Sequence, residues 1–178
     1  ASDVYKRQVG DGALKASLVA DARRRQLANV TFLAPLPHAE MPLILSAADA
    51  CLASMRNIPL FEGSLPTKMF EAMACAKPIV LAVEGEARTL MIDTADAAIY
   101  VPPGDGQALA MAVQRLAANP DLAARLGQNG RVYVNTHFNR DRLTAEFNAM
   151  LAKLLPNTSR LAPVLAGTRL TDAPGGTG

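Results

Sequence analysis

After Lys77 the chain reads PIVLAV, six residues without a polar side chain. A strand with one wet face alternates apolar and polar residues, so a strand that does not alternate is covered on both faces. The run is also far shorter than the roughly 20 apolar residues of a membrane helix. It reads as a strand buried in a parallel sheet with helices packed on both sides. "DACLAS", 49–54, reads as a second buried strand. "NVTFLAP", 29–35, is a β-branched strand ended by Pro35, and "AAIYVPPGD", 97–105, is a strand closed by a proline turn. "VGDG", 9–12, reads as a strand end and a tight turn.

Helical periods fill the intervals. Leu14, Leu18, Val19, Ala22 and Leu27 mark one helix, and "HAEMPLILSAA" is a short one with Pro42 in its first turn. Residues 67–76 and 86–93 read as two more. "GQALAMAVQRLAAN", "PDLAARLGQNGRVYVNT" and "NRDRLTAEFNAMLAKLL" are amphipathic helices, with Asn119-Pro120-Asp121 and Asn139-Arg140-Asp141 as helix starts. Alternating strands and helices predict an α/β domain, a doubly wound, Rossmann-like parallel sheet, over residues 9–155. Ligands of such sheets bind beyond the carboxyl ends of the strands. Residues 156–178 have no sustained period, are rich in Pro, Gly and Thr, and are expected to be a disordered tail.

The formal net charge of +2 gives no case for nucleic acid. Arg23, Arg24 and Arg25 read as a solvated helix face, with contact to an anionic membrane surface as the alternative. Cys51 and Cys75 lack metal-ligand spacing and are expected as buried free thiols in a reducing, cytoplasmic setting. No membrane-spanning run and no signal peptide is read. "DVYKRQ", 3–8, is what a transposase mosaic-end sequence encodes, so residues 1–8 are expected to be a non-native assembly scar and the chain a fragment.

"GSLPTKMFEAMACAKP", 63–78, carries the chemistry. A helix starts here, with Pro66 in its first position or Thr67 as its cap. Free N–H groups and the macrodipole make that start a site for an anion. Lys68 has the wrong sign for a helix start unless an anion lies nearby. Thr67, Lys68 and Glu71 can share one face, with Glu71 about one turn, roughly 5 Å, below the anion. An ionised Glu accepts hydrogen bonds only, and a vicinal diol supplies two donors. Phosphate at the tip and a diol below it spell a nucleoside diphosphate. The alternative is a surface Lys68–Glu71 pair, worth only tenths of a kcal/mol in this orientation. Met69 and Met73 are expected in the core. His38 and His137 lie near helix ends and are expected far from this motif, in surface or capping roles.

"VGDGALKASL", "NVTFLAPLPHAEMPLILSAADACLAS", "LPTKMFEAMACAKPIVLA" and "VPPGDGQALAMAVQRLAANPDLAARLGQNGRVYV" occur in this order. In order and spacing they resemble the C-terminal domain of GT-B glycosyltransferases of the large retaining family 4, which includes many bacterial polysaccharide and lipopolysaccharide transferases. The resemblance implies a nucleotide-sugar donor as substrate, no cofactor, and a diphosphate on the turn Ser64, Leu65, Pro66 and Thr67. It gives the ribose to Glu71, the second Glu of a Glu-x7-Glu motif, and a phosphate to Lys68. The first Glu of that motif falls on Gly63, and the nearest acid is Glu62, one position off. Glu86 falls on a donor-proximal Gly-Glu stretch. Ala34 and Ala76 stand where the family often has Gly. The family's N-terminal Rossmann-like domain, which carries the acceptor site, is expected to be missing, and 140–155 resembles the helix that packs back toward it. Other family contacts to the diphosphate would lie upstream. The implied reaction is sugar transfer to a hydroxyl with retention, with possible contact to a lipid-linked acceptor at the inner membrane face. No Asp-x-Asp occurs, so a metal-dependent donor site is not expected. A sugar-nucleotide epimerase of the same fold and a non-catalytic nucleotide-binding module are the alternatives.

Overall fold

In a computed structural model the protein is described over residues 4–154. The tail expected at 156–178 lies outside the described residues. The chain divides into two units, residues 1–137 and 138–178.

The first unit runs β1 (Lys6–Val9), α1 (Lys15–Arg24), β2 (Val30–Leu33), a 3-10 turn (His38–Glu40), α2 (Met41–Ser46) and β3 (Cys51–Ser54). A second 3-10 turn (Pro59–Phe61) leads to α3 (Thr67–Ala74), β4 (Ile79–Ala82), α4 (Glu86–Arg88), a π-helical stretch (Thr89–Thr94), β5 (Ala98–Tyr100), α5 (Gly106–Ala118) and α6 (Pro120–His137). All strand pairs are parallel, as apolar strands separated by helices require. Hydrogen bonding groups them as β1–β2 and β3–β4–β5. Lys6, Arg7 and Gln8, within the segment expected to be non-native, lie in β1 opposite Val30, Thr31 and Phe32.

β4 is central to its sheet and buried along its whole length. Ile79 lies between Cys51 and Ala98, and Ile79, Val80 and Leu81 are buried almost completely. Met69 and Met73 of α3 are fully buried, as the apolar spacing of that helix predicts. Asn119 and Asn139 accept hydrogen bonds from the N–H groups of Leu122 and Arg142 at 3.0 and 3.1 Å, so both predicted helix starts form. Helix α7 (Arg140–Leu154) is the described part of the second unit. Leu143, Phe147, Met150, Leu151 and Leu154 are exposed along it.

Three local differences have plain causes. The helix expected over 86–93 changes to π geometry, with Ala95 N–H donating to Leu90 O at 2.8 Å. The cysteines are free, but only half-buried. Helix α3 stops at Ala74 instead of residue 76, because Ala76 turns to φ +54°. Its N–H then bonds Met73 O at 2.9 Å, and the N–H of Lys77 bonds Ala72 O at 3.0 Å. This pair of bonds closes a Schellman turn, which favours Gly at the left-handed position. Helix α6 packs closely on it, since a Cβ on Gly127 would lie 2.2 Å from Ala76 O.

Ala76→Gly is expected to stabilise the fold by about 1 kcal/mol by relieving the left-handed Ala. Gly127→Ala is expected to destabilise it by roughly 1–3 kcal/mol through overpacking. Urea denaturation of the two variants checks both signs.

Candidate functional site

The loop from β3 to α3 leaves the carboxyl edge of the sheet and crosses toward the end of β4. Its 3-10 turn is followed by Glu62, whose carbonyl accepts the N–H of Glu86 at 2.8 Å. Gly85 takes φ +72°, and a Cβ there would lie 2.0 Å from Glu62 O. Only glycine permits this approach, so the loops that follow β3 and β4 are locked to each other at the edge where α/β sheets bind ligands. The side chains of Glu62 and Glu86 are exposed, and neither carboxylate makes an ion pair among the described residues. Gly63 is open to space. Ser64 N–H donates to Phe61 O at 3.0 Å, and the partly exposed Leu65 leads into the helix. Arg56, Phe61, Glu62, Val83 and Glu84 line a shallow cleft here.

Pro66 precedes the helix in an extended conformation, φ −60° and ψ 122°, and Thr67 is the first helical residue. Proline therefore takes the cap position, which differs from both readings of the sequence. No side chain caps this start. Met69 N–H donates to Pro66 O at 3.0 Å, which leaves the N–H groups of Thr67 and Lys68 without a partner inside the helix. Lys68 reaches back across the start. Its Nζ donates to Ser54 O, at the end of β3, at 3.2 Å. Partial desolvation there pulls its pKa below the ordinary lysine value.

Glu71 sits one turn in, half-buried, while the adjacent Met69, Ala72 and Met73 are fully buried. It does not pair with Lys68. Its Oε1 lies 3.6 Å from Nε2 of His38, on the 3-10 turn before α2. The expectation that both histidines lie far from the motif is corrected for His38. The β2–α2 connection and α3 are adjacent in space though remote in sequence, and the end of α3 also meets α2, where Cys75 Sγ lies 3.9 Å from Pro42 O. His137 does lie at a helix end, stacked 4.5 Å from Tyr133.

At the ends of β4 and β5, Glu84 accepts a hydrogen bond from Tyr100 Oη and pairs with Arg88 at 3.2 Å. The Arg88 guanidinium stacks 4.2 Å over the Tyr100 ring. The tyrosine bond chiefly, with help from Arg88, holds the Glu84 carboxyl below the usual range. Desolvation first, then Glu84, push the Tyr100 hydroxyl up. At the carboxyl edge of the other sheet, Lys15 Nζ ties Gly10 O (2.7 Å) to Leu33 O (3.1 Å). Gly10, Asp11, Gly12 and Lys15 border an open hollow of about 330 Å³ there. The arginine run behaves as a solvated face, with Arg24 and Arg25 both paired to Asp21. Sequence spacing had no means of finding His38, Lys15 or the Glu84 cluster, because each depends on contacts between separate elements.

An uncapped helix start, a lysine across it and a carboxylate one turn deeper stand together at a Rossmann-like sheet edge. Residues 4–133 match the family model described as glycosyl transferases group 1. The chain belongs to that family. Among curated relatives, the probable glycosyltransferase WbjE of Pseudomonas aeruginosa is 32% identical over 109 residues, 61% of this chain and 27% of that protein. The O-antigen chain mannosyltransferase C of Escherichia coli is 24% identical over 151 residues, 85% of this chain and 40% of that one. Less than half the length of each relative is therefore aligned. The Anabaena protein HepE, solved in complex with UDP-glucose, superposes with a TM-score of 0.73 at 20% identity, covering 86% of this chain and 42% of that one. The group 1 chain thus has the α/β fold of GT-B glycosyltransferases. No helix among the described residues is long and apolar enough to cross a membrane.

Glu84 has a folded pKa below its unfolded value, so its stabilising contribution is present above the ordinary carboxyl pKa. That contribution is lost as pH falls through the folded value. Tyr100→Phe is expected to lower the urea midpoint at pH 7 and to show a smaller deficit at pH 3. An equal deficit at both values would mean the Tyr100–Glu84 bond does not set this pH dependence.

Proposed function

We propose that this chain is the donor-binding half of a retaining, family 4 glycosyltransferase that takes a nucleoside-diphosphate sugar. Its observed Glu71, one turn inside an uncapped helix start crossed by Lys68, carries the reading. In this reading the diphosphate meets the N–H groups around Ser64, Leu65, Pro66 and Thr67 and the Lys68 ammonium. Glu71 accepts from the pentose diol. Glu62 and Glu86, on the locked loops, lie toward the sugar. Group 1 membership and the UDP-glucose bound by HepE support a sugar nucleotide over other anions.

The chemistry asked of these residues is electrostatic. As the bond from the sugar to the diphosphate breaks, negative charge grows on the leaving oxygen. Oriented N–H dipoles and Lys68 stabilise that charge without reorganising. Glu71 positions the donor and moves no proton. The charge is met by protein groups rather than by a cofactor. A partner Rossmann-like domain supplies the acceptor surface, and the acceptor is a hydroxyl of a cytoplasmic-side polysaccharide or glycolipid.

Calorimetric titration with UDP, GDP and ADP tests the donor site. Glu71→Gln is expected to weaken the tightest of them by about 10- to 100-fold, the scale of a charge-assisted hydrogen bond. Lys68→Ala is expected to weaken the diphosphate by a similar factor and the matching nucleoside little. Unchanged titrations for both folded variants would remove the assignment.

A further inference from the structure

His38 has no part in the donor reading above, yet it faces the carboxylate on which that reading depends. The 3.6 Å between its Nε2 and Glu71 Oε1 exceeds a direct hydrogen bond, which ends at about 3.2 Å. The side chains are 88% and 38% exposed, so the pair adds little to stability. The backbone at His38 is nevertheless held in a defined turn. Pro37 before it is extended, at φ −53° and ψ 141°, and the 3-10 turn His38–Glu40 closes with Glu40 N–H on Pro37 O at 2.9 Å. Pro35 and Pro37 limit the freedom of this connection.

We propose that His38 is a second pentose-binding side chain, whose Nε2–H donates to a sugar hydroxyl that itself donates to Glu71. The inference rests on the donor reading given above. A hydroxyl carries one donor and acceptor lone pairs, and an ionised carboxylate satisfies only the donor. On leaving water, the hydroxyl oxygen needs an N–H as well, or it loses a hydrogen bond. One oxygen atom fits as the third corner between Nε2 and Oε1, at about 2.8 Å from each. The pentose is then held between two elements, α3 on one side and the β2–α2 connection on the other. The ligand class is a ribonucleoside diphosphate, and the consequence is discrimination against a deoxy sugar at the bridged hydroxyl.

The test uses the full chain at pH 8. UDP, GDP and ADP are titrated by calorimetry, and the tightest is compared with its 2′-deoxy and 3′-deoxy forms. His38→Ala is expected to weaken the ribonucleotide by about 3- to 10-fold, one neutral hydrogen bond, and to leave one deoxy form almost unchanged. His38→Gln, which keeps an N–H donor, is expected to restore part of the loss. An unchanged ribo-to-deoxy ratio in His38→Ala overturns the proposal, and so does tighter binding, which would make His38 a competitor for Glu71. If Glu71→Gln weakens binding while His38→Ala does not, the donor site stands and only the role of His38 falls. If the wild-type chain binds none of the three nucleotides, both fall.

Discussion

The burial of β4 on both faces is the constraint on which the rest of the first unit depends. A strand without a polar residue has to be flanked by parallel neighbours and covered by helices, and β3, β5 and α3 supply that cover. Met69 and Met73, both fully buried, fix the rotation of α3 about its axis. With those two side chains inside, Lys68 and Glu71 are turned to the opposite, more open side. The helix therefore presents its polar residues at the sheet edge as a consequence of how its apolar face packs.

The same edge is stiffened where loops meet. Gly85 lets the Glu62 carbonyl come close enough to bond Glu86 N–H, and Tyr100, Glu84 and Arg88 brace the turn beside it. At the far end of α3, Ala76 accepts a left-handed conformation so that the chain can enter β4 beneath α6. These contacts keep the helix start in place relative to both strand ends. In the proposed donor reading such fixity matters, since dipoles stabilise a growing charge only when already aimed.

Much of this was legible in the order of residues. Uninterrupted apolar runs gave the parallel class, Asn119 and Asn139 gave two helix starts, and the spacing of Met69 and Met73 separated the buried face of α3 from that of Glu71. The four ordered blocks pointed to a glycosyltransferase, and at that coarser level the group 1 match agrees. The cap at Pro66, the early end of α3 and the π turn after α4 were less legible, because hydrogen bonds at helix ends are chosen among near-equal alternatives by the packing around them.

The sequence by itself determined the fold class, the apolar side of each element and the local i, i+1, i+4 relation of Thr67, Lys68 and Glu71, since these follow from backbone period and side-chain polarity. Only the tertiary structure decided that Lys68 reaches Ser54, that Glu62 locks to Glu86, and that His38 stands beside Glu71. Those residues are brought together by crossovers between parallel strands. Such contacts are set by how whole helices pack on a sheet, and no short-range pattern along the chain encodes them.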